Sequence, residues 1–305
     1  MKVDLSELRA LVTGSTKGIG RAIAHALAEN GAEVAINGRK PADVEQAIAA
    51  IRGTLPTARL VPAPGDAATA QGVAAIIKAA GDVDILVNNV GIFEIKNAFD
   101  IPDEDWQRLF ATNVLSGVRF TRHYGPRMRD KGFGRIVFIS SESGVQIPTE
   151  MIHYGFSKSA DLALMRGFAQ ALAGTGVTVN AVLPGPTRTE GVEAMFKSMG
   201  RSLDDPKVER SFIDSARPSS IIKRLARPEE VAEVVAFLCS REASAMTGSP
   251  VRADGGVVLS ITSPRCAGRN HHEGALFRAR SSSLPANCLS SHSRASAAAL
   301  PQVGF

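Results

Sequence analysis

The 305-residue chain has little cysteine, only 5% aromatic residues and no long apolar run. Its three cysteines, Cys239, Cys266 and Cys288, form neither an even disulfide set nor a metal-ligand spacing. That usage points to a reducing compartment. No uncharged apolar stretch approaches the roughly 18 residues that a membrane span requires. The opening MKVDLSELRA carries Asp4 and Glu7 and lacks the apolar centre of a secretory signal. A cytoplasmic protein without membrane contact is therefore expected. No internal repeat is visible. With 44% hydrophobic and 21% charged residues, disorder along the whole chain is excluded.

The charge is unevenly placed. The net charge is +5, but residues 257–305 hold Arg265, Arg269, Arg278, Arg280 and Arg294 against Glu273 alone. The main body is nearly neutral, so nucleic acid is not its expected partner. From Ser260 onward the sequence is rich in Ser, Arg and Ala and has no helical or strand period. Residues 257–305 are accordingly expected to be a poorly ordered or non-native C-terminal tail.

Apolar runs alternate with amphipathic stretches over the rest of the chain. Strands are expected at Leu8–Thr13, Glu33–Asn37, Arg59–Pro62, Asp84–Val87, Arg135–Ser140, Val177–Leu183 and around Val251. Helices of crossover length separate them, the first two at Gly18–Glu29 and from about Pro41. This alternation predicts parallel strands in a doubly wound, three-layer α/β domain, here residues 1–256. Ligands of such sheets sit at the carboxyl ends of the strands. Residues 190–223 contain no clear strand and mix Met195, Phe196, Met199 and Phe212 with charge. They are expected to form a substrate lid, the alternative being a helical pair that only packs.

The first strand runs into Gly14, Ser15, Thr16, Lys17, Gly18, Ile19 and Gly20, which open a helix. Glycines there permit a tight turn and bring backbone N–H groups to a phosphate, and the helix N-terminus favours the negative charge. Strand before and helix after make this a dinucleotide turn rather than an ordinary Gly-rich loop. The second strand ends in Asn37-Gly38-Arg39, without the carboxylate that accepts from a ribose 2′-hydroxyl. Arg39 can instead hold a 2′-phosphate, with Lys17 adding charge, so NADP(H) is favoured over NAD(H). Asp66 can accept from the adenine amine. Asn89 and Gly91 follow the fourth strand, where Gly91 lets the backbone pass close to a cofactor.

Ser141 follows the fifth strand, with Tyr154 thirteen residues later and Lys158 four beyond that. The i,i+4 spacing puts Tyr154 and Lys158 on one helix face. A free phenol titrates near 10, and the Lys158 ammonium is expected to lower that value. Tyr154 can then exchange a proton with a carbonyl or alcohol oxygen, while Ser141 donates a hydrogen bond to the same oxygen.

Together these residues resemble the short-chain dehydrogenase/reductase family over most of residues 5–256. TGSTKGIG is similar to its TGxxxGxG turn and NNVG to its NNAG motif, with Val90 in place of alanine. Ser141, Tyr154 and Lys158 fall on its Ser–YxxxK spacing. Asn113 aligns with the fourth member of its catalytic tetrad. Pro184, Gly185, Thr187 and Thr189 resemble its nicotinamide-side PG motif, and RLARPEEVAEVVAFLCS with MTGSPVRADGG its C-terminal signature.

The resemblance implies a Rossmann-type parallel sheet of about seven strands and hydride transfer to or from nicotinamide. It implies that Lys158 contacts the nicotinamide ribose and that Asn113 supports a water in a proton relay. It also implies a homo-oligomer, a tetramer or else a dimer. Family chains end soon after the DGG matched by Asp254, Gly255 and Gly256. The substrate is expected to be a small carbonyl or alcohol, such as a 3-oxoacyl thioester, a ketone, a sugar or a polyol. Candidate lining residues are Phe93, Glu94, Val145, Gln146, Ile147, His153, Met195 and Phe196, with His153 expected to be structural. A non-catalytic nucleotide-binding scaffold is the rival class.

Overall fold

The computed structural model describes residues 3–260. Seven parallel strands form one sheet in the order β3-β2-β1-β4-β5-β6-β7. They are β1 (Arg9–Val12), β2 (Glu33–Gly38), β3 (Leu60–Pro64), β4 (Ile85–Asn88), β5 (Gly134–Ile139), β6 (Val177–Pro184) and β7 (Pro250–Ala253). The helices between them are α1 (Gly18–Glu29), α2 (Pro41–Thr54), α3 (Ala70–Ala80), α4 (Asp103–Leu109), α5 (Ser116–Lys131), α6 (Ile152–Ala171), α7 (Glu190–Ser198), α8 (Pro206–Ala216) and α9 (Pro228–Cys239). The expected doubly wound α/β architecture is the observed one. None of the described helices is long and apolar enough to cross a membrane.

Both faces of the sheet are buried, which explains why its strands read as short continuous apolar runs. Side chains alternate along each strand. Ala10, Val12, Ile85, Val87, Val137 and Ile139 pack with α1, α2 and α9 in one core. Leu11, Leu86, Ile136 and Phe138 point the other way, into a second core with Val73 and Ile76 of α3, Phe120 and Tyr124 of α5, and Met165 of α6. The strand order reverses between β1 and β4, and the crossovers on either side leave a crevice at the carboxyl ends.

The other strands with expected bounds begin and end within one residue of them, and two boundaries differ by more. The third strand runs over Leu60–Pro64 rather than Arg59–Pro62. Its prolines are tolerated because β3 is an edge strand, paired only with β2, up to Gly38 opposite Pro64. The domain also continues past residue 256. Val257 is fully buried and Val258 is 8% exposed. Asp254 turns the chain back by accepting from the backbone N–H groups of Gly256 and Val258, both at 3.0 Å. Gly255 and Gly256 permit that turn with φ of 64° and 78°. The compact unit ends at Leu259, and the remainder of the expected tail, residues 261–305, lies outside the described residues.

Candidate active site

A cleft of about 440 Å³ runs from the Gly-rich turn after β1 to the start of α6. Gly14, Lys17, Gly18, Ile19, Gly20, Asn89, Gly91, Ser141, Tyr154, Lys158, Pro184, Gly185, Thr187 and Thr189 all line it. Ser15, Thr16, Arg39, Asp66 and Asn113 do not.

The turn is built so that side chains cannot obstruct it. Gly14 and Gly18 have φ of 63° and 57°, a backbone conformation that favours glycine. Asn89 braces the turn from β4, its amide donating to the carbonyls of Thr13 (2.8 Å) and Gly14 (3.0 Å). Thr13 Oγ1 accepts from the N–H groups of Asn89 and Val90. Ser15 is wholly buried, and its hydroxyl donates to the Val12 carbonyl while accepting from the Asn37 N–H. Ser15 therefore locks β1 to β2 and presents neither its hydroxyl nor its N–H to a ligand, contrary to its expected cofactor contact. A Cβ on Gly38 would lie 2.4 Å from Thr16 Cγ2, so Thr16 packs against that glycine.

The Gly18 N–H at the start of α1 does hold an anion. It donates to Glu190 Oε2 at 2.8 Å, and Glu190 Oε1 pairs with Arg21 at 2.5 Å. Arg39, just past the end of β2, and Lys17, in the turn before α1, are exposed cations with no ion pair among the described residues. Asp66 is exposed and accepts from the Ala68 N–H at 3.0 Å in a local turn.

At the other end, Ser141 caps the short helical turn Glu142–Gly144 and is buried. Its hydroxyl donates to Glu142 Oε2 and accepts from the Ser143 N–H at 3.1 Å. Lys158 lies one helical turn from Tyr154, with Nζ 5.9 Å from the phenol ring centre. Lys158 Nζ donates to the Ile139 carbonyl (2.8 Å) and to Asp161 Oδ2 (3.2 Å). A Cβ on Gly91 would come within 3.4 Å of that Nζ, so glycine leaves the ammonium open toward the cleft.

The expected net acidification of Tyr154 is not what the surroundings produce. Burial raises its pKa. The Lys158 ammonium pulls it down, Glu142 and Asp161 push it up, and the balance lies above the usual phenol value. Asp161 is the partner that sequence reasoning missed. It sits three residues past Lys158 on α6 and is 2% exposed. Burial lifts its carboxyl to about 6 against the pull of Lys158. For Lys158, burial acts downward, but Asp161 and Tyr154 outweigh it and the value is raised. One ammonium shared between a phenol and a carboxylate acidifies the phenol less than an unshared one.

Asn113 lies on a π-helical turn, Phe110–Leu115, between α4 and α5. Its Oδ1 accepts from the Ile92 N–H at 2.8 Å, and its Nδ2 donates to the Ile92 carbonyl and to Ser157 Oγ, both at 2.9 Å. The side chain thus ties the loop after β4 to α6 behind Tyr154. Of the expected lining residues, Phe93 and Met195 reach the cleft, and Phe93 packs edge-on to Tyr154 at 6.1 Å. Glu94 is ion-paired with Arg108 at 2.8 Å. His153 is fully buried edge-on to Trp106, so it is a packing residue. Val145, Gln146 and Ile147 lie outside the wall.

Residues 190–223 contain α7 and α8, which share a small core of Phe196, Leu203, Ile213 and Leu225. Phe196 belongs to that core and not to the cleft. Val192, Met195, Phe212, Ala216 and Arg217 wall the cleft instead. Glu142 and Arg217 are lining residues that sequence reasoning passed over. The only available signal for Glu142 was a charge beside Ser141 in a mostly apolar context.

Residues 14–258 match a family model described as enoyl-(acyl carrier protein) reductase. The chain is 48% identical to the uncharacterized oxidoreductase YvaG of Bacillus subtilis over 263 residues, 86% of this chain and all of that one. It is 36% identical to the acetoacetyl-CoA reductase of Rhizobium meliloti over 253 residues, 81% of this chain and 97% of that one. Among solved structures, L-sorbose reductase from Gluconobacter frateurii, complexed with NADPH and L-sorbose, superposes with a TM-score of 0.79 at 30% identity. That match covers 86% of this chain and all of the other.

Proposed function

The chain belongs to the short-chain dehydrogenase/reductase family of oxidoreductases acting on alcohol or carbonyl groups, and from that premise we propose that it is NADP(H)-dependent and reduces a ketone. The observation that carries this reading is the placement of Tyr154 and Ser141 on the wall of a cleft that begins at an anion-holding helix terminus. When bound, the nicotinamide supplies or takes up the hydride. The Gly-rich turn and the α1 N-terminus, whose Gly18 N–H already holds the Glu190 carboxylate, would hold its phosphates. Lys158, left open toward the cleft by Gly91, would hold the ribose.

Tyr154 gives its proton to the substrate oxygen, and Ser141 donates a hydrogen bond to that oxygen and fixes its position. The raised phenol value suits this direction, because reduction needs Tyr154 protonated at neutral pH. Asn113 acts through Ile92 and Ser157 as a positioning residue. Residues 190–223 act as the lid, and assembly as a homo-oligomer, a tetramer or a dimer, belongs to the same proposal. The direct test is consumption of NADPH, followed by absorbance, across a panel of carbonyl compounds. Absence of any Tyr154-dependent turnover would overturn it.

Two binding results are expected. Arg39→Asp removes the free cation and adds the carboxylate suited to a 2′-hydroxyl. The kcat/KM ratio for NADPH over NADH should fall at least about tenfold. An unchanged ratio would show that Arg39 does not read the 2′ position. Glu190→Ala removes a carboxylate from the phosphate position. NADPH should then bind about three to ten times more tightly by fluorescence titration. Weaker binding would show instead that Glu190 is needed to hold α7 in place.

A further inference from the structure

Ser141 has one hydroxyl hydrogen, and the structure gives it to Glu142 Oε2. The proposed reduction needs that hydrogen on the substrate oxygen. Glu142 is 3% exposed, so once a substrate fills the cleft a change in its bonding is not repaired by bulk water. Its Oε2 also accepts from the Ser143 N–H at 2.7 Å. Its Oε1 accepts from Arg217 Nε at 2.7 Å, and the Arg217 side chain is itself only 13% exposed. The guanidinium comes from the C-terminal end of α8, so the carboxylate is held between the Ser141 turn and the helical pair. Glu142, Arg217, Ser141 and Tyr154 all line the same cleft.

An ionised carboxylate only accepts hydrogen bonds. When Ser141 turns to a substrate carbonyl, Glu142 Oε2 loses a donor in a place where an under-satisfied charged acceptor is costly. A plain ketone offers nothing in return, and neither does the keto carbon of an acyl thioester. A ketone with a hydroxyl on the neighbouring carbon does: its carbonyl takes the Ser141 hydrogen while its own hydroxyl donates to Glu142.

Resting on the oxidoreductase reading above, we infer that Glu142, held in place by Arg217, is a specificity-determining residue that receives a hydroxyl adjacent to the reacting carbon. The substrates are then α-hydroxy ketones, open-chain ketoses included, and the products are vicinal diols. Reduction adds one hydride to the carbonyl carbon and the Tyr154 proton to its oxygen. The hydroxyl bound to Glu142 stays intact.

Hydroxyacetone and butanone differ by a hydroxyl in place of a methyl at the carbon next to the carbonyl, and so make a matched pair. The full chain with NADPH should reduce hydroxyacetone with a kcat/KM at least about 10²-fold above butanone. In Glu142→Ala that ratio should collapse below about tenfold, chiefly by loss of hydroxyacetone reduction. Glu142→Gln keeps an acceptor and the shape but loses the charge, and should give an intermediate ratio. It also carries the test if the alanine variant fails to fold. NADPH binding measured on each variant separates a lost substrate contact from a lost fold. Equal reduction of both ketones by the parent protein, or the same ratio in a folded Glu142 variant, overturns the inference and leaves the oxidoreductase reading standing. Failure of the NADPH-loaded protein to reduce any ketone overturns both.

Discussion

Replacing Tyr154 by phenylalanine is expected to lower kcat for ketone reduction by about 10³-fold or more, with the NADPH dissociation constant changed less than about threefold. The substitution deletes one oxygen and keeps the ring. Phe93 still meets that ring edge-on, and Lys158 keeps its bonds to Ile139 and Asp161, so the walls of the cleft persist. What disappears is the proton for the substrate oxygen. Single-turnover kinetics with NADPH and a reducible ketone reads the chemical step, and fluorescence titration reads binding. Near-parental turnover would remove Tyr154 from the role of acid.

The same assignment fixes a pH dependence. Reduction uses the protonated phenol, so kcat/KM is full below the Tyr154 pKa and is lost as pH rises through it. Burial first, with Glu142 and Asp161 adding to it, lifts that limb above the ordinary value near 10. Asp161→Asn removes one of the charges that push the phenol up and frees Lys158 to act on Tyr154 alone. The descending limb should move to lower pH. A purely structural role for Asp161 would lower stability without moving it.

Gly20→Ala is expected to weaken NADPH binding by at least about 10²-fold and to cost about 1–3 kcal/mol of stability. A Cβ at Gly20 would lie 2.4 Å from the Gly14 carbonyl oxygen and 2.4 Å from Asn89 Nδ2. Neither neighbour can yield cheaply. The Gly14 oxygen belongs to the turn backbone, and Asn89 is held by its bonds to Thr13 and Gly14. Relief requires the turn to move away from α1, and that movement misaligns the N–H groups that cradle a phosphate. Thermal melting should show a fall of a few degrees. A folded variant with parental NADPH affinity would show that the cofactor does not rest on this turn.

How much was legible depended on which physics fixed each feature. The strands were readable because both faces of a parallel sheet are buried, leaving apolar runs with glycine and helical punctuation. The end of β3 was not, because the sequence does not show that β3 is an edge strand, where Pro62 and Pro64 are tolerated. The domain boundary at 256 was drawn from the DGG resemblance, whereas the turn at Asp254 folds Val257 and Val258 into the core. Ser15 read as part of the phosphate turn, yet its hydroxyl is turned inward to β1 and β2. Motif spacing says which residues share a turn and not which way each one faces.

Periodicity and glycine placement are local, so the order of residues dictates the alternating α/β pattern, the Gly-rich turn ahead of α1 and the one-turn spacing of Tyr154 and Lys158. The packing of distant segments makes Glu190, 172 residues along the chain, the anion at Gly18. The same packing brings Arg217 of the helical pair to Glu142 beside Ser141, and lets desolvation outweigh Lys158 at the Tyr154 phenol. Burial and long-range charge pairing depend on which segments meet in space, and no local pattern in the chain encodes that.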